Sequence, residues 1–296
     1  MTRGVQRGLG PRDLMVAAVM NVLWGLNIVA VKMAVESIAP MTAAALRQGI
    51  VFIVCASALK IVPGRMRALL ALGVLSGGLF YICINLSLAV ADNVSALAIA
   101  GQLGVPFSLL LAVFVLKERI HGARIAGIAL SIAGVVLLVF DPSAGKEAPG
   151  LLLTAASSCI WAICSLIQRQ LIGVPVLTIY AWIGLAGFIV LAPIAVATEP
   201  AAVAALPHLP LRDLGWVMFS AIGSTVIGQG SMSWLLQRHP VSTIIPLTLA
   251  APIISVVTAS LFFRIPITVL MVVGGVTALV GVAIVTIRTA RADYPE

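Results

Sequence analysis

Charge is what this sequence has least of. Only 9% of its 296 residues are Asp, Glu, Lys or Arg, while 61% are hydrophobic. A soluble domain carries roughly 25% charged residues, so a water-soluble globule is excluded. Carboxylates are scarcer still. Asp13, Glu36, Asp92, Glu118, Asp141 and Asp213 all fall at the ends of apolar runs, and His121, His208 and His239 lie between runs. An intramembrane enzyme needs clustered Ser/His, paired carboxylates or metal ligands at depth, and the runs hold none of these. Cys55, Cys83, Cys159 and Cys164 sit inside apolar runs with one weak ligand-like spacing. They read as buried free thiols that pack as small hydrophobes, so no metal or cofactor is expected. The net charge of +8 does not mark a nucleic-acid partner, because the basic residues stand singly or in small groups between runs. That is how topology signals are distributed, not a phosphate-binding surface.

What the chain does have is long apolar runs, placed at about 13–35, 41–60, 67–90, 93–116, 121–140, 149–171, 175–197, 212–236, 240–262 and 266–288. Each is long enough to cross a hydrocarbon core of about 30 Å as a helix in a lipid bilayer. The run after "MTRGVQRGLGPRD" exceeds a signal-peptide core and reads as a retained first helix. The longest connection, "TEPAAVAALPHLPLRD", reads as a loop. With the N-terminus inside, 13 Lys and Arg fall on inner segments and 5 on outer ones. Both termini are therefore expected in the cytoplasm.

The runs also repeat. Trp24 precedes Lys32 by eight residues, and Trp161 precedes Arg169 by eight. "NVSALAIAGQLGVPFSLLLAVF" resembles "PVSTIIPLTLAAPIISVVTASLF", with Pro106 opposite Pro252. "GIALSIAGVVLLVF" lies 147 residues before "GGVTALVGVAIVTI", with Gly127 and Gly134 opposite Gly274 and Gly281. Each half holds five spans, an odd number, so the halves must be inverted. The expected fold is an all-α integral membrane protein of ten transmembrane helices, built as two inverted five-helix repeats, residues 1–145 and 146–296. Inverted repeats are a mark of secondary transporters, with substrate held near the midplane. One chain carries both halves of such a pathway, so a monomer is expected.

"LWGLNIVAVKMA", "APMTAAALRQGI" with Pro40 and Arg47, and "FVLKERIHGARIAGIALSIAGVVLLVF" resemble the EamA-type drug/metabolite transporters. The resemblance covers both halves and is closest to exporters of the YddG type. It implies ten helices, a central cavity, a bacterial cytoplasmic membrane, and export of aromatic and other neutral amino acids. The chain departs from the family after the ninth span, where "LFFRIP" puts Arg264 in place of the usual glutamate. Another small metabolite or a drug, with or without proton coupling, is the alternative. The lack of carboxylates at depth favours facilitated diffusion.

Trp24 and Trp161 each lie about 16 Å into their helices, deeper than the interfacial belt that tryptophans favour. Cavity lining and interhelical packing both fit them. Asn27, Asn85, Gln102 and Gln229 are the carboxamides nearest the midplane. They must face the bundle, as substrate ligands or as links between helices. Tyr81 and Trp182 join as possible aromatic lining, although Trp182 also suits the interface. Lys32, Arg169 and Arg47 read as anchors near helix ends, snorkelling or paired with a carboxylate such as Glu36. Gly73, Gly77, Gly78, Gly223, Gly228 and Gly230, with Pro106, Pro246 and Pro252, read either as dense packing or as hinges for gating. The orientation is testable: a fluorescent protein fused to the C-terminus is expected to light up and a phosphatase fused there to stay inactive. The reverse pair of results would contradict it.

Overall fold

The structure is a computed structural model that describes residues 10–116, 122–139, 147–236, 238–239 and 244–292. The described residues form helices and connections, with no strand among them. The helical runs are α1 (Pro11–Ser37), α2 (Pro40–Ala58), α3 (Met66–Val90), α4 (94–116), α5 (Gly122–Val139), α6 (Ala148–Arg169), α7 (Val176–Thr198), α8 (211–236), α9 (245–263) and α10 (Val269–Ala292). Five of them, α1, α2, α3, α6 and α7, are long and apolar enough to cross a membrane by length and composition. The connection expected as a plain loop holds a short helix, Pro200–Ala205, and a 3₁₀ turn, Leu206–His208. The Glu118–Arg119 pair and the side chains of Arg169 and Pro246 lie outside the described residues.

Local chemistry sets the helix ends. Pro11 opens α1, and the Gly10 N–H donates to the Asp13 carboxylate at 2.9 Å. Pro40 opens α2, whose first free N–H groups, those of Met41 and Thr42, donate to Glu199 at 3.0 and 2.7 Å. A carboxylate at a helix N-terminus is favoured by the helix dipole. Arg264 ends α9 in the left-handed region.

Two kinds of irregularity recur at one spacing. α3 widens to a π-helix over Gly73–Leu79, and α8 does so over Phe219–Gly228. α4 tightens to 3₁₀ over Gly101–Leu103, and α9 over Ile245–Leu249. Both 3₁₀ segments end two to three residues before a proline, Pro106 or Pro252, whose missing N–H cannot continue the regular ladder.

The helices pack through small residues. On α5, Gly134 meets the backbone of Gly274 and Ala278 on α10, while Gly281 meets Gly127 and Ser131. Numbers rise on one helix as they fall on the other, so α5 and α10 run antiparallel. The same holds for α2 and α7, where Gly184 lies against Gln48 and Phe52, and Thr178 Oγ1 donates to the Ala58 carbonyl. α1 packs on α8 and α9, and α6 packs on α3 and α4. A side chain at Gly134 would run into backbone that cannot yield, whereas Gly215 faces open space. Gly134→Leu is therefore expected to destabilise the protein by about 1–3 kcal/mol or more, read as a lower thermal midpoint in detergent, and Gly215→Leu to leave it unchanged.

Candidate functional site

A cavity of about 380 Å³ lies at mid-depth between the helices. α1 contributes Trp24, Asn27, Ile28 and Val31, and α2 contributes Arg47 and Gln48. α3 adds Ser76, Phe80, Tyr81 and Ile84, and α4 adds Gln102. From the second half come Ser158 and Trp161 on α6, Tyr180 on α7, and Ser224, Thr225 and Gln229 on α8. No Asp or Glu is among the lining residues, and Arg47 is their only cation.

The π-helical stretch of α8 explains how one wall is held. A π turn leaves carbonyls poorly matched to the helical ladder, and side chains use them. Trp24 Nε1 donates to the Ser224 carbonyl at 3.2 Å, and Thr225 Oγ1 donates to the Ser220 carbonyl at 3.2 Å. Ser220 Oγ donates to Asn27 Oδ1 at 2.7 Å, and Arg47 Nη2 to Thr225 Oγ1 at 2.7 Å. The Arg47 guanidinium lies 4.4 Å from the centre of the Tyr81 ring, a cation–π contact. On the opposite wall, Phe80 packs at 5.8 Å on Trp161 and at 5.1 Å on Tyr81.

Of the residues read from sequence, Trp24, Asn27, Tyr81, Gln102, Trp161 and Gln229 share this cavity. Asn85 does not. Its Nδ2 donates to the Pro40 carbonyl at 2.9 Å, linking α3 to the first turn of α2. Trp182 is likewise outside the lining, with its Nε1 on the Lys60 carbonyl at 2.9 Å. Arg47, read as an anchor, is instead buried in the cavity wall. Lys32 does not snorkel: it is buried, donates to the Leu88 and Ala91 carbonyls at 2.9 and 2.7 Å, and pairs with Glu36 at 3.2 Å. Those carbonyls end α3, where a cation is favoured. Cys55 and Cys164 are buried as expected and Cys83 partly so, but Cys159 is exposed on the outer face of α6.

The glycines divide. Gly73, Gly77 and Gly78 bring α3 against α7 at Trp182, Ile183, Ala186, Gly187 and Val190. Gly228 makes room for the Trp24 indole, since a β-carbon there would come within 2.6 Å of its Nε1. Gly223 faces Leu23, and Gly230 has nothing close to it. Pro106 is buried and Pro252 half-buried. Ser76, Tyr180, Ser224, Thr225 and Gln48 were not singled out from sequence. Hydroxyls are commonplace in membrane helices, and nothing in the spacing marks these.

The two ends of the bundle differ. At the Ser37 end, a buried cluster joins residues of α1, α3, α4, α6, α9 and α10, including Val31, Leu88, Leu97, Leu151, Ala259 and Met271, and a second one holds Met41, Ala44, Ala45, Leu191 and Ala195 from α2 and α7. Polar links cross the same end. Lys32 ties α1 to α3, Ser95 Oγ on α4 donates to the Val256 carbonyl on α9 at 3.3 Å, and Glu147 accepts from the N–H groups of Asp92 and Asn93. Toward the Pro11 end lie two further clusters among the described residues. One cluster holds Ala17, Met20, Leu235 and Ile244, from α1, α8 and the segment entering α9. The other holds Leu69, Leu72, Cys164, Leu171 and Ile183, from α3, α6, α7 and the turn after α6. Among the described residues, His239 pairs with Asp13 at 3.0 Å beside the first cluster, the Arg65 guanidinium donates to the Gln170 carbonyl beside the second, and Ser165 on α6 bonds Ser108 on α4 at 3.3 Å.

Apolar membrane helices around a mid-depth cavity, with a wall of hydrogen-bonding groups and one cation, Arg47, are the arrangement of a carrier of small solutes. The chain belongs to the EamA-like transporter family, whose pattern matches residues 13–140 and again 148–287. It is 25% identical over 283 residues to a probable amino-acid metabolite efflux pump of Escherichia coli, covering 92% of this chain and 94% of that one. It is 28% identical over 160 residues to the aromatic amino acid exporter YddG of Ancylobacter novellus, covering 50% and 51%. A solved crystal structure superposes with a TM-score of 0.62 at 21% identity, covering 96% of this chain and 99% of the other. That likeness concerns the fold. The protein is thus a multi-pass membrane transporter.

Asn85 and Gln102 separate a structural carboxamide from a lining one. Asn85→Ala is expected to cost about 1 kcal/mol of stability and leave transport per folded molecule unchanged. Gln102→Ala is expected to do the opposite, and thermal midpoints and transport rates measured together check both.

Proposed function

We propose that this protein exports aromatic and other neutral amino acids from the bacterial cytoplasm by alternating access, as facilitated diffusion. In this reading it spans the inner membrane ten times with both termini cytoplasmic. Residues 1–145 and 146–296 are inverted halves, each supplying one side of the path. The observation that carries the reading is a cavity of about 380 Å³ lined from both halves of the chain.

Several features support the inversion. The family pattern matches once in each half. The π-helical stretches begin at Gly73 and Phe219, and the matched prolines are Pro106 and Pro252, so both pairs lie 146 residues apart. The packing of α1 on α8 and α9 is mirrored by that of α6 on α3 and α4. α2 with α7 and α5 with α10, each a helix paired with its own counterpart, run antiparallel. With the N-terminus inside, the Pro11 end faces the cytoplasm, and the conformation is one that loads substrate from the cell.

The substrate class follows from the lining. About 380 Å³ falls within the range of roughly 300–1,000 Å³ of small-molecule sites. Trp24, Phe80, Ile84 and Trp161 offer apolar and aromatic contact to a side chain, and the carboxamides and hydroxyls offer hydrogen bonds to a polar head. The names of the relatives support an amino acid over a drug. With no Asp, Glu or His among the lining residues, the cavity lacks a group to carry a proton across.

Counterflow in proteoliposomes tests this. Vesicles loaded with unlabelled phenylalanine, methionine or threonine are expected to accumulate the labelled form, at a rate unchanged by an imposed pH gradient. Trp161→Ala is expected to reduce exchange by roughly tenfold through lost aromatic burial. Exchange driven severalfold by the pH gradient would rule out uncoupled transport. No exchange of any amino acid by folded protein would rule out the substrate class.

A further inference from the structure

Arg47 stands apart from the rest of the cavity wall. It is a cation at mid-depth, 6% exposed, in a lining without carboxylates. Among the described residues no Asp or Glu pairs with it, and its Nε has no hydrogen-bond partner. One Nη2 bond to Thr225 is a small part of what five N–H donors can satisfy. A guanidinium does not lose its charge by burial as a lysine does. It therefore sits in a water-poor site with its charge uncompensated, a costly arrangement in a protein that had only to tie α2 to α8, which a neutral side chain could do. The cation–π contact with Tyr81 at 4.4 Å holds the guanidinium in place, and its remaining N–H donors can take a planar acceptor. Planar, two-pronged recognition of a carboxylate is what this group does best.

The neighbouring residue completes the picture. Gln48 also lines the cavity and is 2% exposed, and its Oε1 has no hydrogen-bond partner. The wall thus holds an unmet charged donor and an unmet neutral acceptor from one turn of α2.

We propose that Arg47 binds the carboxylate of the transported solute, and that this carboxylate, not the ammonium group, is what the cavity requires. The proposal rests on the amino-acid reading above and narrows it. The ammonium finds only neutral acceptors such as Gln48 Oε1, which a hydroxyl can also satisfy. The carboxylate alone meets a full opposite charge. The carrier then accepts 2-hydroxy acids that have the same side chain, and it rejects amino-acid amides, which keep the ammonium but lack the carboxylate.

The test is phenylalanine counterflow by the full-length protein in proteoliposomes, with competitors added outside. Unlabelled 3-phenyllactate is expected to suppress labelled uptake about as well as unlabelled phenylalanine, and phenylalaninamide at the same concentration to have no effect. Arg47→Gln is expected to raise the apparent KM for phenylalanine by roughly ten- to a hundredfold, the worth of a hydrogen bond to a charged group. It should also remove the discrimination between acid and amide, a change that a merely structural role would not produce. Competition by the amide equal to that of phenylalanine overturns the proposal on unmodified protein, whatever the variant's folding. So does Arg47→Gln with wild-type KM and selectivity. Failure of the wild type to exchange any amino acid overturns the substrate reading itself, and this proposal with it.

Discussion

Within a bilayer core no water is at hand to satisfy a polar group, so each one must find its partner inside the protein. Most of this structure follows from that constraint. Lys32 cannot stay bare, and it settles on the carbonyls that end α3 and on Glu36. The N–H groups at the starts of α2 and α4 are met by Glu199 and Glu147. The π-helical carbonyls of α8 are taken up by Trp24 and Thr225. Among the buried polar atoms left without a partner in the described residues, Arg47 Nε and Gln48 Oε1 belong to residues that line the cavity, while Asn21 Oδ1, Asn85 Oδ1 and Trp216 Nε1 lie outside it.

Small residues do the complementary work. Gly77 against Gly187, and Gly134 against Gly274, let backbones approach where lipid offers no hydrophobic drive for association. These tight crossings make firm units of α3 with α7 and of α5 with α10. Toward the Pro11 end the α1–α8 residues and the α3–α6–α7 residues form two separate buried clusters among the described residues, while near the Ser37 end one cluster joins α1 to α3 and α6. In the proposed cycle, opening the Ser37 end would break the Lys32 and Ser95 links and the apolar cluster around Leu88 and Leu97. Closing the Pro11 end brings the two separate clusters together. One set of contacts is exchanged for another, which is how a solute can move the balance by binding one arrangement better.

Much of this was legible in the sequence, and the reasons differ by residue. The paired glycines of α5 and α10 could be found because packing in lipid demands small residues at fixed places. Trp24, Asn27, Gln102, Trp161 and Gln229 could be found because a polar or amphipathic group deep in an apolar run must face inward. The same rule cannot tell lining from linkage, so Asn85 satisfied it while serving the Pro40 carbonyl. The pairing of Lys32 with Glu36 was legible, but its burial and that of Arg47 were not, for another reason. Depth was counted along a lone helix, whereas their surroundings are set by neighbours distant in the chain: α3 for Lys32, and Tyr81 and Thr225 for Arg47. The hydroxyls of α8 gave no signal, because their role depends on a π-helical stretch that composition does not announce.

The central claim is that the two ends open in turn. Pairs of spin labels on an otherwise cysteine-free protein in lipid measure this most directly. One pair, at Arg238 and Ile172, reads the Pro11 end across the two groups, and a second, at Ser37 and Asp92, reads the Ser37 end. On adding saturating phenylalanine, the first distance is predicted to gain a shorter population and the second a longer one, in matching proportion. Distances that stay single and unchanged at both ends while the same labelled protein transports would contradict the account.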